Sequence, residues 1–228
     1  MTKIKYDGFE LEHFDKASNF RKYQIKLIKN YIRGKFAEVG AGKGGLVNYY
    51  YRITDNICLF EPEVKLFKLL KKKFKKKKII IKNKIIKQSK KKFDTIIYFD
   101  VLEHIKKDLE EVKEASKKLN KNGYLIFSVP AHQFFYNKFD SLVGHNKRYS
   151  KNDFLYISEK TGLKVERLIY YDSIGFILLV LNKLFSLNQK NLKNKISFWN
   201  LLMPFSIIVD FITFNQIGKS LLCVYKKC

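Results

Sequence analysis

Acidic residues, arginine, proline and cysteine are all scarce in this chain. Its 228 residues hold 21 Asp and Glu against 46 Lys and Arg, with three Pro and three Cys. Only five of the basic residues are Arg (Arg21, Arg33, Arg52, Arg148, Arg167), so the formal charge of +25 is carried by Lys. Nucleic-acid sites rely on Arg for bidentate phosphate and base contacts. A Lys excess beside many Asn and Ile reads instead as solvated faces filled through A/T-rich codons, so nucleic acid is the weaker expectation as a partner. The field still attracts any anionic substrate, RNA or lipid. With so little proline and no Gly/Ser-rich linker, no point offers itself for division, and a single domain over 1–228 is expected. Cys58, Cys223 and Cys228 show neither paired nor metal-ligand spacing. They exclude a disulfide scaffold, and Cys58 and Cys223, inside apolar runs, read as buried thiols of a reducing cytoplasm. The start, MTKIKYDGFELEHF, has no signal-peptide core. No apolar run reaches about 18 residues, so no membrane span is expected.

What is present is alternation. Residues 17–33 read as a helix stopped by Gly34, leading into a strand over 35–39. A glycine cluster and a helix to about Tyr51 follow, then a strand over 56–60 and a helix over 63–73 that Pro62 begins at its first turn. Strands are expected over 79–81, 93–99, 124–129, 163–171 and 220–225, with helices over 107–119 (ended by Asn122-Gly123) and 151–161. Such alternation means βαβ units, a parallel sheet with helices on both faces, and ligands at the carboxyl ends of the strands.

Between the first strand and its helix lies Glu38-Val39-Gly40-Ala41-Gly42-Lys43-Gly44-Gly45. Glycine lets the backbone turn sharply and approach a ligand with no Cβ in the way. Gly40, Gly42 and Gly45 also satisfy the GxGxxG of dinucleotide-binding folds, and Glu61, about 20 residues on, suits a ribose diol in either case. Glu38 favours a cationic cofactor, because a carboxylate there is unwelcome near a pyrophosphate.

EVGAGKGG, FEPE, FDTIIYFDVLEHI and LNKNGYLIFSVP together resemble the successive motifs of class I S-adenosylmethionine-dependent methyltransferases. The DVLEHI form is similar to the branch containing the ubiquinone-biosynthesis O-methyltransferases, and the resemblance runs over about residues 17–170. It implies a Rossmann-like, seven-stranded, mostly parallel sheet whose last strand, SLLCVY, is antiparallel. It also implies S-adenosylmethionine as cofactor. Gly40, Gly42 and Gly44 would line its methionine end and Glu61 its ribose, with Asp100 and Leu102 on the floor beneath the methyl. Asn83 stands where relatives carry the residue that touches adenine. Asp100, Glu103 and His104 also resemble the metal cluster of small-RNA 2′-O-methyltransferases, with His145 or His132 as a further ligand. Many DVLEHI relatives bind no catalytic metal, and none is expected here.

A hydroxyl acceptor needs a general base, typically His. His132, directly after the fifth strand, and His145, beside Arg148, are the catalytic candidates, with Arg148 as a clamp for an anionic acceptor. An ion pair of Arg148 with Asp140 is the alternative. His104 is read as orienting its turn, and His13 as a surface residue near an N-terminal helical lid (1–34). Two apolar stretches, 173–185 and 196–214, fall in an insertion over 172–215 before the last strand. They read as a lid over the acceptor, with a dimer face or a peripheral membrane contact as alternatives. An apolar lid suggests a small-molecule or lipid-linked acceptor, methylated at oxygen. An RNA acceptor and a non-catalytic nucleotide-binding module are the alternative functions.

Overall fold

The computed structural model describes residues 16–185 and 192–228. His13 and residues 1–15 of the expected N-terminal lid lie outside them. In chain order the elements are α1 (Ser18–Ile28), β1 (Phe36–Val39), α2 (Val47–Tyr50), β2 (Ile57–Phe60), α3 (Val64–Lys73), β3 (Ile79–Lys82), β4 (Phe93–Phe99), α4 (Asp108–Lys117), β5 (Leu119–Pro130), α5 (Lys138–Leu142), α6 (Lys151–Thr161), β6 (Lys164–Tyr171), α7 (Ser173–Phe185), α8 (Leu192–Ile212) and β7 (Ser220–Lys226).

The seven strands form one sheet in the order β3-β2-β1-β4-β5-β7-β6. Neighbours from β3 to β5 run parallel, and β7 runs antiparallel to both β5 and β6. The chain leaves β1 towards β2 on one side and returns to β4 on the other, so the switch point for ligand binding lies between β1 and β4.

Period-two alternation divides the core into two layers. Phe36, Ile57, Leu59, Ile97 and Ile126 face one side and pack with Phe20 and Tyr23 of α1, Tyr50 of α2 and Trp199 and Met203 of α8. Ala37, Cys58, Ile96, Tyr98 and Phe127 face the other and pack with Val112 of α4 and Phe154 of α6. Each Ile, Leu, Phe or Met among them, fully removed from water, contributes about 1.5–3 kcal/mol. Cys58 and Cys223 are buried as thiols, and burial pushes Cys58 up to about 11.

Three boundaries differ from the sequence reading. Val64 starts α3, and Glu63 precedes it as the N-cap: its carboxylate accepts from Leu66 N–H at 2.7 Å, which puts Pro62 outside the helix. Asn122-Gly123 does not end α4. That helix stops at Lys117, and Leu119 already pairs with Phe93, so the two residues sit at a bulge inside β5. The connection after β5 holds α5, which Asn137 and Asp140 close with a capping box. By contrast α6 has the expected stop, Gly162, in the left-handed conformation.

Candidate active site

The glycine loop leaves β1 with Gly40, Gly42 and Gly44 all at positive φ (69°, 55° and 71°). Its fit is close. A Cβ on Gly40 would lie 2.6 Å from Val101 Cγ2, and one on Gly44 would lie 2.5 Å from Phe74 Cε2. Gly40 N–H donates to Phe60 O at the end of β2, which ties the loop to the neighbouring strand tip.

Three carboxylates surround this turn. Glu61, at the end of β2, is buried and accepts from Gly42 N–H at 2.8 Å and from Glu63 N–H at 2.9 Å. Burial raises its pKa to about 7, and the two amides offset part of that rise. Glu38, buried beneath the loop, accepts from the Tyr50 hydroxyl. That hydroxyl is itself held far above its ordinary value by burial and by Glu38. Asp100, directly after β4, adopts φ of 56° and pairs with Arg21 of α1 at 2.9 Å. A non-glycine residue with this backbone stores strain at the strand end.

Sequence reasoning missed the part that α1 plays here. Arg21 donates also to Gln24, and the Gln24 amide reaches Ser128 Oγ and the Tyr171 hydroxyl, at 3.2 and 3.0 Å. One helix thus bridges the carboxyl ends of β4, β5 and β6. The available signal was Arg21 itself, an Arg beside Phe20 and Tyr23 on the apolar side of an amphipathic helix in a chain that otherwise uses Lys.

The sequence-predicted residues are only partly gathered. Glu38, Gly40, Gly42, Gly44, Glu61 and Asp100 converge on the β1–β4 crevice. Leu102 lies in the next turn, but its side chain is fully buried among the α4 and α6 core residues, so it is a packing residue. Asn83 donates to the carbonyls of Glu61 and Pro62 at 2.9 Å each, which braces the β2 tip.

Arg148 requires a correction. It makes three hydrogen bonds of 2.9–3.1 Å to Asp140, and both residues are buried. Its fork is therefore committed to this ion pair and is not a clamp for the acceptor. Asp140 also accepts from His145 Nδ1 at 2.8 Å. Burial alone would raise the Asp140 carboxyl; His145 and Arg148 hold it below its ordinary value. The same contact fixes the His145 tautomer and directs Nε2 towards Glu103, 3.9 Å away.

His132 sits at φ 65°, with Nε2 3.0 Å from Gly218 O and its ring stacked on Tyr170. Burial lowers its pKa, so it stands neutral at pH 7. Its surroundings include Phe135 and Phe176, an aromatic wall beside the strand ends.

Glu103 is buried, and neither carboxylate oxygen has a hydrogen-bond partner. Burial, then the charge of Asp100, pushes its pKa well above the ordinary range. Burial and His145 lower His104 to about 4. Among the described residues, Glu103, His104 and His145 can each offer one ligand atom within 4.8 Å of one another. A carboxylate with two imidazoles is a donor set that suits a divalent transition metal. The sequence reading assigned no metal; the fold brings these three together from two separate loops.

Residues 19–168 match the family described as a methyltransferase domain. The chain belongs to this family. Solved structures share the fold of this methyltransferase domain. One is an S-adenosylmethionine-dependent methyltransferase from Clostridium acetobutylicum, with 12% identity, 96% of each chain covered and a TM-score of 0.61. Another is magnesium protoporphyrin IX methyltransferase from Synechocystis with bound S-adenosylmethionine, with 12% identity, 95% of this chain and 81% of that one covered, and 0.57. A third is coclaurine N-methyltransferase bound to N-methylheliamine and S-adenosylhomocysteine, with 14% identity, 98% and 76% covered, and 0.61. No curated protein matches the sequence.

Proposed function

We propose that this methyltransferase domain moves a methyl group from S-adenosylmethionine to the oxygen of a small-molecule or lipid-like acceptor. The observation that carries the cofactor reading is Glu61. It is a buried carboxylate fixed by the Gly42 and Glu63 amides, beside a loop in which Gly40 and Gly44 leave no room for a Cβ. Glu38 adds negative charge where a sulfonium and an ammonium would be welcome and a pyrophosphate would not, while the charge of Asp100 is balanced by Arg21. Solved relatives in complex with S-adenosylmethionine or S-adenosylhomocysteine support the same reading.

The cofactor supplies an electrophilic methyl on sulfur. Glu61 would hold the ribose hydroxyls and the glycine loop would admit the methionine end. The remaining task is to hold the acceptor in line and dry, which can supply much of the rate enhancement. As the acceptor oxygen gains the methyl, its proton needs a base. His145, oriented by Asp140, is the better placed candidate, and neutral His132 is the other. The preference for oxygen rests on the DVLEHI resemblance. The lipid-like acceptor is supported by the aromatic wall around His132 and by the apolar helices α7 and α8. A cytoplasmic location fits the free thiols.

Calorimetry against S-adenosylmethionine, S-adenosylhomocysteine and NAD tests the cofactor. One-to-one binding of the first two is expected, and binding of NAD alone would overturn the assignment. The acceptor is read by mass spectrometry of extract incubated with enzyme and labelled cofactor. A labelled lipid or small molecule is expected, whereas labelled RNA with steep salt dependence would make RNA the acceptor.

A further inference from the structure

α8 is apolar on two opposite sides, and the fold uses only one. Ile196, Trp199 and Met203 are buried against the body of the protein. Polar bonds fix that side. Asp210 accepts from the Tyr23 hydroxyl at 2.8 Å and from the backbone amides of Asp172 and Ser173. Trp199 Nε1 donates to the buried Asp172. The helix therefore cannot roll to bury its other side.

That other side carries Phe198, Leu201, Phe205, Ile208 and Phe211, three or four residues apart, and Phe214 continues the line beyond the helix end. All are exposed, Leu201 at 67%, Phe211 at 81% and Phe214 at 83%. From Phe198 to Phe211 the row runs about 20 Å at 1.5 Å per residue. The segment Lys193–Ile212 is long and apolar enough to cross a membrane, yet it is docked along its length by the buried side. A contiguous exposed row of this size marks a contact surface.

We infer that this outer face of α8 lies in the interface of a bilayer rich in anionic lipid. Charge selects that occupant over a second copy of the chain. At +25, two copies repel each other, whereas anionic headgroups attract this surface. Exposed Lys193 and Lys195 stand at the start of the same helix, within reach of headgroups when the aromatic row is immersed. The helix lies in the plane of the interface, anchored to a folded body, with its apolar side about 5–10 Å deep. The surface is argued from α8 alone. Its bearing on the reaction, that the acceptor is drawn from the bilayer, rests on the methyl-transfer reading.

The test is sedimentation of the full chain with phosphatidylcholine vesicles, with and without about one-third phosphatidylglycerol, at low salt and in 0.5 M NaCl (about a 4 Å Debye length). Binding to the anionic vesicles is expected, at least tenfold weaker in neutral ones. The double variant Phe205→Glu/Phe211→Glu should lose at least tenfold in affinity while keeping its melting temperature and its binding of S-adenosylmethionine. Phe205→Trp should be quenched by lipids brominated in the acyl chain, since Trp199 is shielded in the core. Failure to bind anionic vesicles, equal binding by the double variant, or no quenching at position 205 overturns the inference. So does a dimer, seen by analytical ultracentrifugation without lipid, that the double variant dissolves. Cofactor binding on the same samples is a separate readout, so loss of vesicle binding with retained cofactor leaves the enzymatic reading intact.

Discussion

A methyl group on Gly40 would meet the Val101 side chain and would sit on a backbone at φ 69°. Left-handed backbone alone costs an alanine about 1–2 kcal/mol, before any collision. Gly40→Ala is therefore expected to lower stability by at least that amount and to weaken cofactor binding more than tenfold, as read by denaturant unfolding and calorimetry. Glu61 sets a pH dependence. Its carboxyl is held at about 7 in the folded chain, above its unfolded value, so it favours folding while protonated. That gain is complete below the ordinary glutamate range and is lost as pH rises to about 7. An ionised carboxylate is the better acceptor for ribose hydroxyls, so affinity for S-adenosylmethionine should rise about tenfold per pH unit below 7 and level off above it. Glu61→Gln should flatten both curves; a variant with the wild-type slope would place the titrating group elsewhere. Arg148→Ala should act through the fold, because it leaves Asp140 buried without its cation. A loss of about 3–5 kcal/mol is expected in unfolding experiments. An acceptor clamp would instead show a raised KM at unchanged stability.

Among the elements, α1 and α8 are joined through side chains more than through backbone. Tyr23 of α1 donates to Asp210 of α8, and Asn19 donates its backbone N–H to Asn200 Oδ1 and its side-chain amide to Asn200 O. Tyr23→Phe removes one donor from a buried carboxylate and should cost about 1.5–3 kcal/mol. Hydrogen exchange should speed up in both helices together. How much of this was legible in the sequence depends on whether the cause is local. The strand over 93–99 was read to the residue, because a run apolar on both faces bounded by polar residues is a local signal. The glycine loop and Glu61 were legible for the same reason. The start of β5 was not, since Leu119 is a strand residue only because Phe93 pairs with it. The ion pair of Arg148 with Asp140 was legible only as one of two alternatives, since the choice depends on the capping box of α5 turning the carboxylate inward. Asp172 escaped notice altogether: nothing near it in sequence announces that Trp199 and Lys219 will converge on it.

For the molecule as a whole, a formal charge of +25 on 228 residues means self-repulsion in the folded state. Raising NaCl from about 10 mM to 150 mM shortens the Debye length from about 30 to 8 Å. The melting temperature should rise over that range, and a flat or falling curve would show the lysines to be locally compensated. The position of β7 has a consequence for biogenesis. It fills the gap between β5 and β6, yet residues 220–226 are synthesised after everything else in the sheet. Until they leave the ribosome, β5 and β6 each lack the neighbour that satisfies their facing ladders. The nascent chain therefore passes through a stage with two sticky borders, at which a chaperone would find it.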